Sequence, residues 1–245
     1  MLIATRFTGL LVFMPMLSSA LLPVRLKILL SLSLAVAAYP IVIENGGIPQ
    51  HFDTYTIVPT LLSELAIGVT IGFVAAIPIM TAQIAGTIMG QQMGLGLASV
   101  FNPTVEIQGD NIGQALFFAA MASFLVSGGF EIIYSVLIGT FVNVPIGGYA
   151  LTQTPLDMIV GVIAAGFEVS VRIAMPVVVI LIIESIIVGF IMRTIPSLNI
   201  MTFGFPIKIL GGLFVTISAF VLMEETILTE LTDVIIRASQ WTQSL

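Results

Sequence analysis

The sequence predicts an all-α membrane protein built from long bent helices and helical hairpins. Of its 245 residues, 58% are hydrophobic and only 8% are charged, and the mean hydropathy is +1.17. A water-facing surface usually requires that about a quarter of the residues be charged, so this composition excludes a soluble domain of this size. The apolar residues also form long runs separated by short polar turns, which is the pattern of membrane-spanning helices.

Six apolar segments are long enough to be predicted as membrane spans, and we expect them to form a single helical membrane domain over residues 1–245. A seventh run, Ile132–Val144, is too short to cross comfortably, so we expect it to be re-entrant or interfacial. The turn at Ser127 to Gly129 should separate it from the segment before. The six predicted spans are Phe7–Leu22, Leu26–Ile43, Ile57–Met89, Ile112–Val126, Leu156–Met192 and Ile209–Met223.

Two of these segments are longer than a bilayer requires. Ile57–Met89 would extend about 50 Å as a helix, whereas the hydrocarbon core is about 30 Å thick. Pro78 in this segment and Pro176 in Leu156–Met192 are the expected bend points. The excess length indicates that these helices pack on other helices as well as on lipid.

Small residues recur at every fourth position from Ala82 to Ala98. On a helix this spacing lines one face with almost no side chain, so another backbone can approach closely. We therefore predict a helix-packing face at Gly86, Gly90 and Gly94. Gly68 and Gly72 give the preceding part of the same segment a small-residue face of its own.

Charged residues inside the apolar segments are candidates for contacts with other subunits, because an ionised group facing lipid is costly. Glu64 is either an interfacial carboxylate near a helix end or a buried contact to a neighbouring subunit. Glu168 and Arg172 lie four residues apart, where they can neutralise each other. Glu184 has no such partner on its own helical face, so we expect it to meet a neighbouring subunit or buried water.

The composition also argues against several classes of function. The net charge of −6 and the absence of a basic run argue against a nucleic-acid partner. The chain has no cysteine and one histidine, which gives no basis for a metal site, a cofactor or an intramembrane enzyme. Gly109-Asp110 also lacks the preceding glycine of a G-x-G-D aspartyl-protease motif.

Several motifs occur in the order in which they occur in the FliR/SctT family, and they cover nearly the whole chain. RTIPSLNI at 193–200 and GFPIK at 204–208 resemble the R-x-x-P-x-x-N-I…G-F-P-x-K signature of that family. Residues 86–103 resemble its A-G-x-x-x-G-x-Q-M-G segment with the loop that follows. Arg6 with the later PVR at 23–25, and FVNVPIG at 141–147, resemble two further family motifs. Asn102 departs from the usual aspartate, and Phe130 stands where many members have histidine.

The resemblance implies a non-enzymatic subunit of the type III protein export gate in the bacterial inner membrane, at a flagellar basal body or a secretion apparatus, with flagellar assembly favoured over an injectisome. It implies a fold similar to a FliP-like part fused to a FliQ-like hairpin. The implied partners are FliP/SctR-like and FliQ/SctS-like subunits, an FlhB/SctU-like subunit, exported unfolded proteins and the lipid bilayer. No cofactor is implied.

The resemblance further implies that the loop beginning near Met93 is a plug in the channel. Its composition is compatible with this role, because apolar residues can seal by shape and release again, and methionine fills irregular gaps. The residues expected in the plug are Met93, Gly94, Leu95, Val100, Phe101, Asn102 and Pro103. Those expected at subunit contacts are Gln92, Glu168, Arg172, Glu184, Arg193, Pro196, Asn199, Gly204, Pro206 and Lys208.

The alternative from another class is a small-solute secondary transporter, which also uses glycine- and proline-broken helices and buried acids. The chain lacks two matching halves, since the broken segment near residues 86–110 has no counterpart of the same composition later. This absence favours the gate subunit.

Overall fold

The computed structural model describes residues 1–14, 23–44, 57–96, 110–148, 156–194 and 203–244. Over these residues the chain is helical apart from short turns and helix ends. In chain order the helices are α1 (Leu2–Phe13), α2 (Val24–Glu44), α3 (Ile57–Met93), α4 (Asn111–Val126), α5 (Gly129–Asn143), α6 (Leu156–Thr194) and α7 (Phe205–Ser244).

Three of the described helices, α2, α3 and α6, are long and apolar enough to cross a membrane. The number rises to five if each of two bent pairs counts as one span: α4 with α5, and Phe205–Phe220 with Glu225–Val234 inside α7. The sequence predicted about six spans. The difference is the predicted first span, Phe7–Leu22, of which residues 15–22 lie outside the described part of the chain. The 12 residues of α1 extend about 18 Å as a helix, less than the thickness of a hydrocarbon core.

The two overlong segments form continuous helices. α3 has 37 residues and contains Pro78, and α6 has 39 residues and contains Pro176. The predicted break after α4 is present, since Gly128 adopts a left-handed backbone with φ of 75°. Glycine tolerates this conformation because it has no Cβ. The short run at 132–144 thus becomes α5, the second arm of a bent pair.

The chain groups into two compact units. The first unit contains Met1–Ile77, Phe124–Ala164 and Leu231–Leu245, and the second contains Pro78–Ser123 and Ala165–Glu230. Both α3 and α6 therefore contribute to each unit. The prediction of a single domain stays a prediction.

In the first unit, α1 lies directly on α3 through glycines. A methyl group at Gly68 would overlap the carbonyl oxygen of Arg6, and one at Gly72 would lie 2.5 Å from that of Leu10. Gly9 of α1 makes the reciprocal approach to the α3 backbone, 2.5 Å from the Leu65 oxygen. The small-residue face at Gly68 and Gly72 is thus occupied by α1. Beside this contact, α2 packs against α1 and α5.

The second unit also has glycine contacts. A methyl group at Gly86 of α3 would lie 2.6 Å from the Cα of Gly113 in α4. One at Gly212 of α7 would lie 2.6 Å from the Cγ of Met93. These glycines allow α3 to approach α4 and α7 at the end of α3, where the sequence predicts the plug to begin.

Candidate functional site

The end of α3 is closed by a Schellman motif, in which a left-handed residue lets two amides bond back to the last helical turn. Gly94 has φ of 81°, and its N–H donates to the Gln91 carbonyl at 3.0 Å. The Leu95 N–H donates to the Gly90 carbonyl at 3.2 Å. Gly94 therefore lies in the turn that ends the helix, not on the helical packing face on which the sequence placed it.

Met93 fixes this end of α3 to α7. Its side chain is fully buried and fills the space over Gly212. A side chain at position 212 would occupy this space, so glycine leaves it free for Met93. A flexible thioether suits such an irregular gap. Met93 is therefore a buried packing residue at the start of the predicted plug loop, and the loop leaves from a fixed point.

Asp110 fixes the chain where it returns to α4. The Thr87 hydroxyl lies 2.7 Å from Asp110 Oδ1, to which it donates, and Gln83 Nε2 donates to Oδ2 at 3.5 Å. The Asp110 carbonyl accepts the Gln114 N–H in the first turn of α4. A side chain at Gly113 would overlap Asp110 Oδ1. No role for Asp110 could be predicted from the sequence, because nothing local indicates that Thr87 and Gln83 lie beside it.

Of the two predicted packing glycines inside α3, Gly86 makes the closer approach to another backbone. At Gly90 an added methyl group would make ordinary contacts of 3.7 Å with Ile112 and 3.8 Å with Leu95. Whether these glycines also pack against another subunit stays a prediction. Within the chain, the described contact concentrates at Gly86.

Some predicted residues lie outside the described part of the chain. These are Val100, Phe101, Asn102 and Pro103 of the predicted plug, and Pro196 and Asn199 of the predicted subunit contacts.

A second polar site lies in the first unit, around a fully buried ion pair. Arg6 Nε donates to Glu64 Oε2 at 2.7 Å, and both side chains have no exposed surface. Arg6 Nη1 donates to the Thr140 hydroxyl at 2.7 Å, and Nη2 to the Val144 carbonyl at 3.4 Å. The guanidinium also lies over the ring of Phe141, 4.0 Å from its centre.

The carboxylate of this pair is also satisfied on its other side. Glu64 Oε1 accepts the backbone N–H of Gly147 at 3.1 Å. Both sequence interpretations of Glu64 are therefore wrong, because its partner is Arg6 of the same chain. The pair joins α1 to α3 and fixes the turn after α5. It also brings together residues of two family motifs, Arg6 and the 141–147 stretch, which sequence order alone could not connect.

The remaining predicted contact residues lie mainly at the surface of the chain. Glu168 and Arg172 form the predicted pair on α6, with an Arg172 Nη2 to Glu168 Oε1 distance of 2.9 Å. About 70% of each side chain is exposed. Gln92, Arg193 and Pro206 are also exposed, whereas Gly204 is buried.

Glu184 and Lys208 lie at one cavity in the second unit. Lys208 is in the first turn of α7 and faces α6 across a cavity of about 280 Å³. Glu184 Oε2 lies 3.0 Å from where a Gly211 methyl group would be, and Oε1 is buried without a hydrogen-bond partner in the described structure. A buried polar atom without a partner is unusual and costs about 1–3 kcal/mol.

The described residues contain no group of three histidine, aspartate or glutamate side chains that could hold a metal ion. The described residues instead anchor the two ends of the loop between α3 and α4, and they form a surface that is mostly apolar with a few polar groups.

Comparison with known proteins identifies relatives along most of the chain. The family model described as bacterial export proteins, family 1, matches residues 1–234. Yop proteins translocation protein T of Yersinia pestis is 30% identical over 210 residues, covering 84% of this chain and 80% of the relative. Flagellar biosynthetic protein FliR of Escherichia coli is 27% identical over 200 residues, covering 81% and 75%. FliR of Aquifex aeolicus is 24% identical over 229 residues, covering 93% and 87%.

Proposed function

The chain belongs to family 1 of the bacterial export proteins, and on that premise we propose that it is a structural, non-enzymatic subunit of a type III protein export gate in the inner membrane. Its loop between α3 and α4 is the plug that closes the export path. FliP/SctR-like, FliQ/SctS-like and FlhB/SctU-like subunits are its partners, and unfolded proteins pass through the assembled gate.

The observation that supports the plug most directly is the way in which the loop is attached. The chain leaves α3 at the Gly94 cap and returns where Asp110 bonds Thr87, seven residues earlier on the same helix. Seven helical residues extend about 10 Å, so both attachments lie near the end of α3. A plug loop that is anchored at both ends can move while α3 and α4 stay folded. A substrate-binding site would instead require several convergent fixed polar groups.

The outer surface of α6 supports the role of a subunit within a larger assembly. This helix is 39 residues long, and only 11% of its most apolar 18-residue window is buried within the chain. Glu168 and Arg172 are exposed on it. Because charges facing lipid are costly, this polar position is better explained by a neighbouring subunit than by bilayer alone.

A deletion of Ser99–Gln108 tests the plug. It removes the centre of the loop and leaves the Gly94 cap and Asp110 in place. We expect the complex to assemble and the membrane to become leaky to ions, measured as conductance at matched amounts of complex. A Gly139→Ala variant, which adds a methyl group where nothing lies within 4 Å, serves as the full-length control. An assembled deletion variant with unchanged conductance would refute the plug.

A second measurement separates the gate subunit from the transporter. A transporter should purify as a stable unit by itself, whereas a gate subunit should be unstable without its partners. The stoichiometry of the co-purified membrane complex decides between them.

The relatives include both flagellar proteins and a Yop translocation protein. The choice of a flagellum over an injectisome stays a prediction. It is tested by deleting the gene and scoring motility separately from effector secretion, with loss of motility expected.

A further inference from the structure

The cavity between α6 and α7 in the second unit contains two opposite charges that are not paired. Glu184 and Lys208 both line it. Among the described residues, no hydrogen bond or ion pair joins them, and Glu184 Oε1 has no partner at all. The carboxylate oxygen requires a hydrogen-bond donor, and the ammonium requires an acceptor.

An apolar slot lies next to this cavity. It has a volume of about 110 Å³ and shares Val188 and Gly204 with the charged cavity. Its other walls are Ile191, Met192, Phe203 and Ile207. A molecule that fills both spaces therefore has a polar end with a donor and an acceptor, followed by an apolar chain.

The surroundings of the cavity indicate a membrane environment. Neighbouring α6 side chains such as Ile187, Phe190 and Ile191 are about half or more exposed. The cavity also lies near the end of α6 and the start of α7, where Arg193 and Lys208 supply basic charge. Basic residues near helix ends are typical of the level of lipid head groups.

We propose that this cavity binds the head group of a phospholipid that carries a primary ammonium and a phosphate, namely phosphatidylethanolamine. The ammonium donates to Glu184 Oε1, and the phosphate accepts from Lys208. An acyl chain occupies the apolar slot. A cavity of about 280 Å³ accommodates a head group but not a whole lipid, so the remaining chain lies along exposed α6.

Two other occupants of the cavity account for fewer of these observations. A single inorganic ion would satisfy one of the two charges and leave the apolar slot empty. An amide side chain from another subunit could bridge both charges, but the apolar slot would again be unexplained. The phospholipid accounts for the orphan carboxylate oxygen, the lysine and the slot together.

The test uses the full chain, purified with its associated membrane subunits and stripped of lipid. Phosphatidylethanolamine, phosphatidylcholine and phosphatidylglycerol with identical acyl chains are added back. The unfolding temperature is followed against lipid concentration. Phosphatidylcholine has the same charges but no ammonium N–H to donate, and phosphatidylglycerol has no cation. We expect phosphatidylethanolamine to stabilise the complex at about tenfold lower concentration than either, the effect of one charge-assisted hydrogen bond.

Variants of the protein locate the effect. Glu184→Gln should remove the preference for phosphatidylethanolamine, because the ammonium loses its anionic acceptor. Lys208→Gln should weaken stabilisation by all three lipids, because each of them carries the phosphate. Glu225→Gln is the matched control, because it changes an exposed carboxylate of α7 that does not line the cavity; it should keep the preference. If a cavity variant does not accumulate, the proposal is tested by comparing the three lipids on the unchanged protein.

Equal stabilisation by the three lipids would overturn the proposal, as would a preference for phosphatidylglycerol, which would indicate that Lys208 alone attracts anionic lipid. The chain has no cysteine, so Ser185→Cys places a single thiol at the cavity. Efficient cross-linking of this thiol to another subunit would show that protein fills the cavity and would also overturn the proposal.

Discussion

Among the described residues, the first unit contains a buried acid–base pair, and the second has an acid and a base at one cavity; the two sites differ in how their polar atoms are hydrogen-bonded. Around Arg6 and Glu64 every described charged atom has a partner: three groups on α5 and the turn after it, and an aromatic ring, surround the pair. Glu184 and Lys208 share a cavity, and one carboxylate oxygen has no partner. An acid and a base thus form a fully hydrogen-bonded node in the first unit and a site with an unsatisfied carboxylate oxygen in the second.

This difference separates a structural role from a binding role. A buried ion pair contributes little net stability, because desolvation opposes the attraction, but removing one partner is strongly destabilising. The Arg6 node therefore holds α1, α3 and the turn after α5 in one arrangement. At the Glu184 site one carboxylate oxygen has no hydrogen-bond partner, so a ligand can donate a hydrogen bond to it.

The largest expected effect is at the closed node. Arg6→Met leaves Glu64 buried without its charge partner and should destabilise the protein by about 3–5 kcal/mol. The measurement is the unfolding of the purified complex, or its steady-state amount in membranes if it does not accumulate. The double variant with Glu64→Leu should recover part of the loss, since no charge remains buried. A double variant as unstable as Arg6→Met would contradict this account of the node.

The glycine contact next to the node gives the second effect. Gly68→Ala would place a methyl group on the Arg6 carbonyl, and overpacking of this kind costs about 1–3 kcal/mol. Gly139→Ala adds the same group to α5 in open space, so it should be neutral or slightly stabilising. Unfolding temperatures of the two variants make the comparison, and similar values would show that α1 can move away from α3 at little cost.

Much of the fold could be predicted from sequence. The apolar runs indicated the helices, and the small-residue spacing at Gly68 and Gly72 indicated a close contact without indicating that α1 makes it. The predicted Glu168–Arg172 pair is present because two residues four apart on a helix must lie on one face. The Arg6–Glu64 and Asp110–Thr87 pairs were missed because each joins residues far apart in the chain, and periodicity carries no information about which helix faces which.

A third comparison lies within the second unit. Gly86→Ala would force a methyl group to within 2.6 Å of the Gly113 Cα, and we expect a loss toward the lower end of about 1–3 kcal/mol. Gly90→Ala should be tolerated, because its methyl group would lie 3.7 Å from Ile112. Both variants are compared by the unfolding temperature of the complex and by secretion. If Gly90→Ala proved the more damaging, Gly90 would make the close helix contact that the sequence predicts for this face, and the contacting helix would belong to another subunit.

The smallest expected effect concerns the exposed pair on α6. Glu168→Gln removes one charge from a pair that is about 70% exposed in the isolated chain, and such pairs contribute about 0–1 kcal/mol when water surrounds them. We expect a change close to zero in the unfolding temperature of the complex if water still reaches the pair. A neighbouring subunit that excludes water would instead leave Arg172 buried without its partner and lower the amount of assembled complex. The measurements are the unfolding temperature of the complex and the amount assembled at matched expression. A reduced amount would place this pair in an interface, whereas no change in either would leave it as a solvated pair and confine polar recognition on α6 to Glu184.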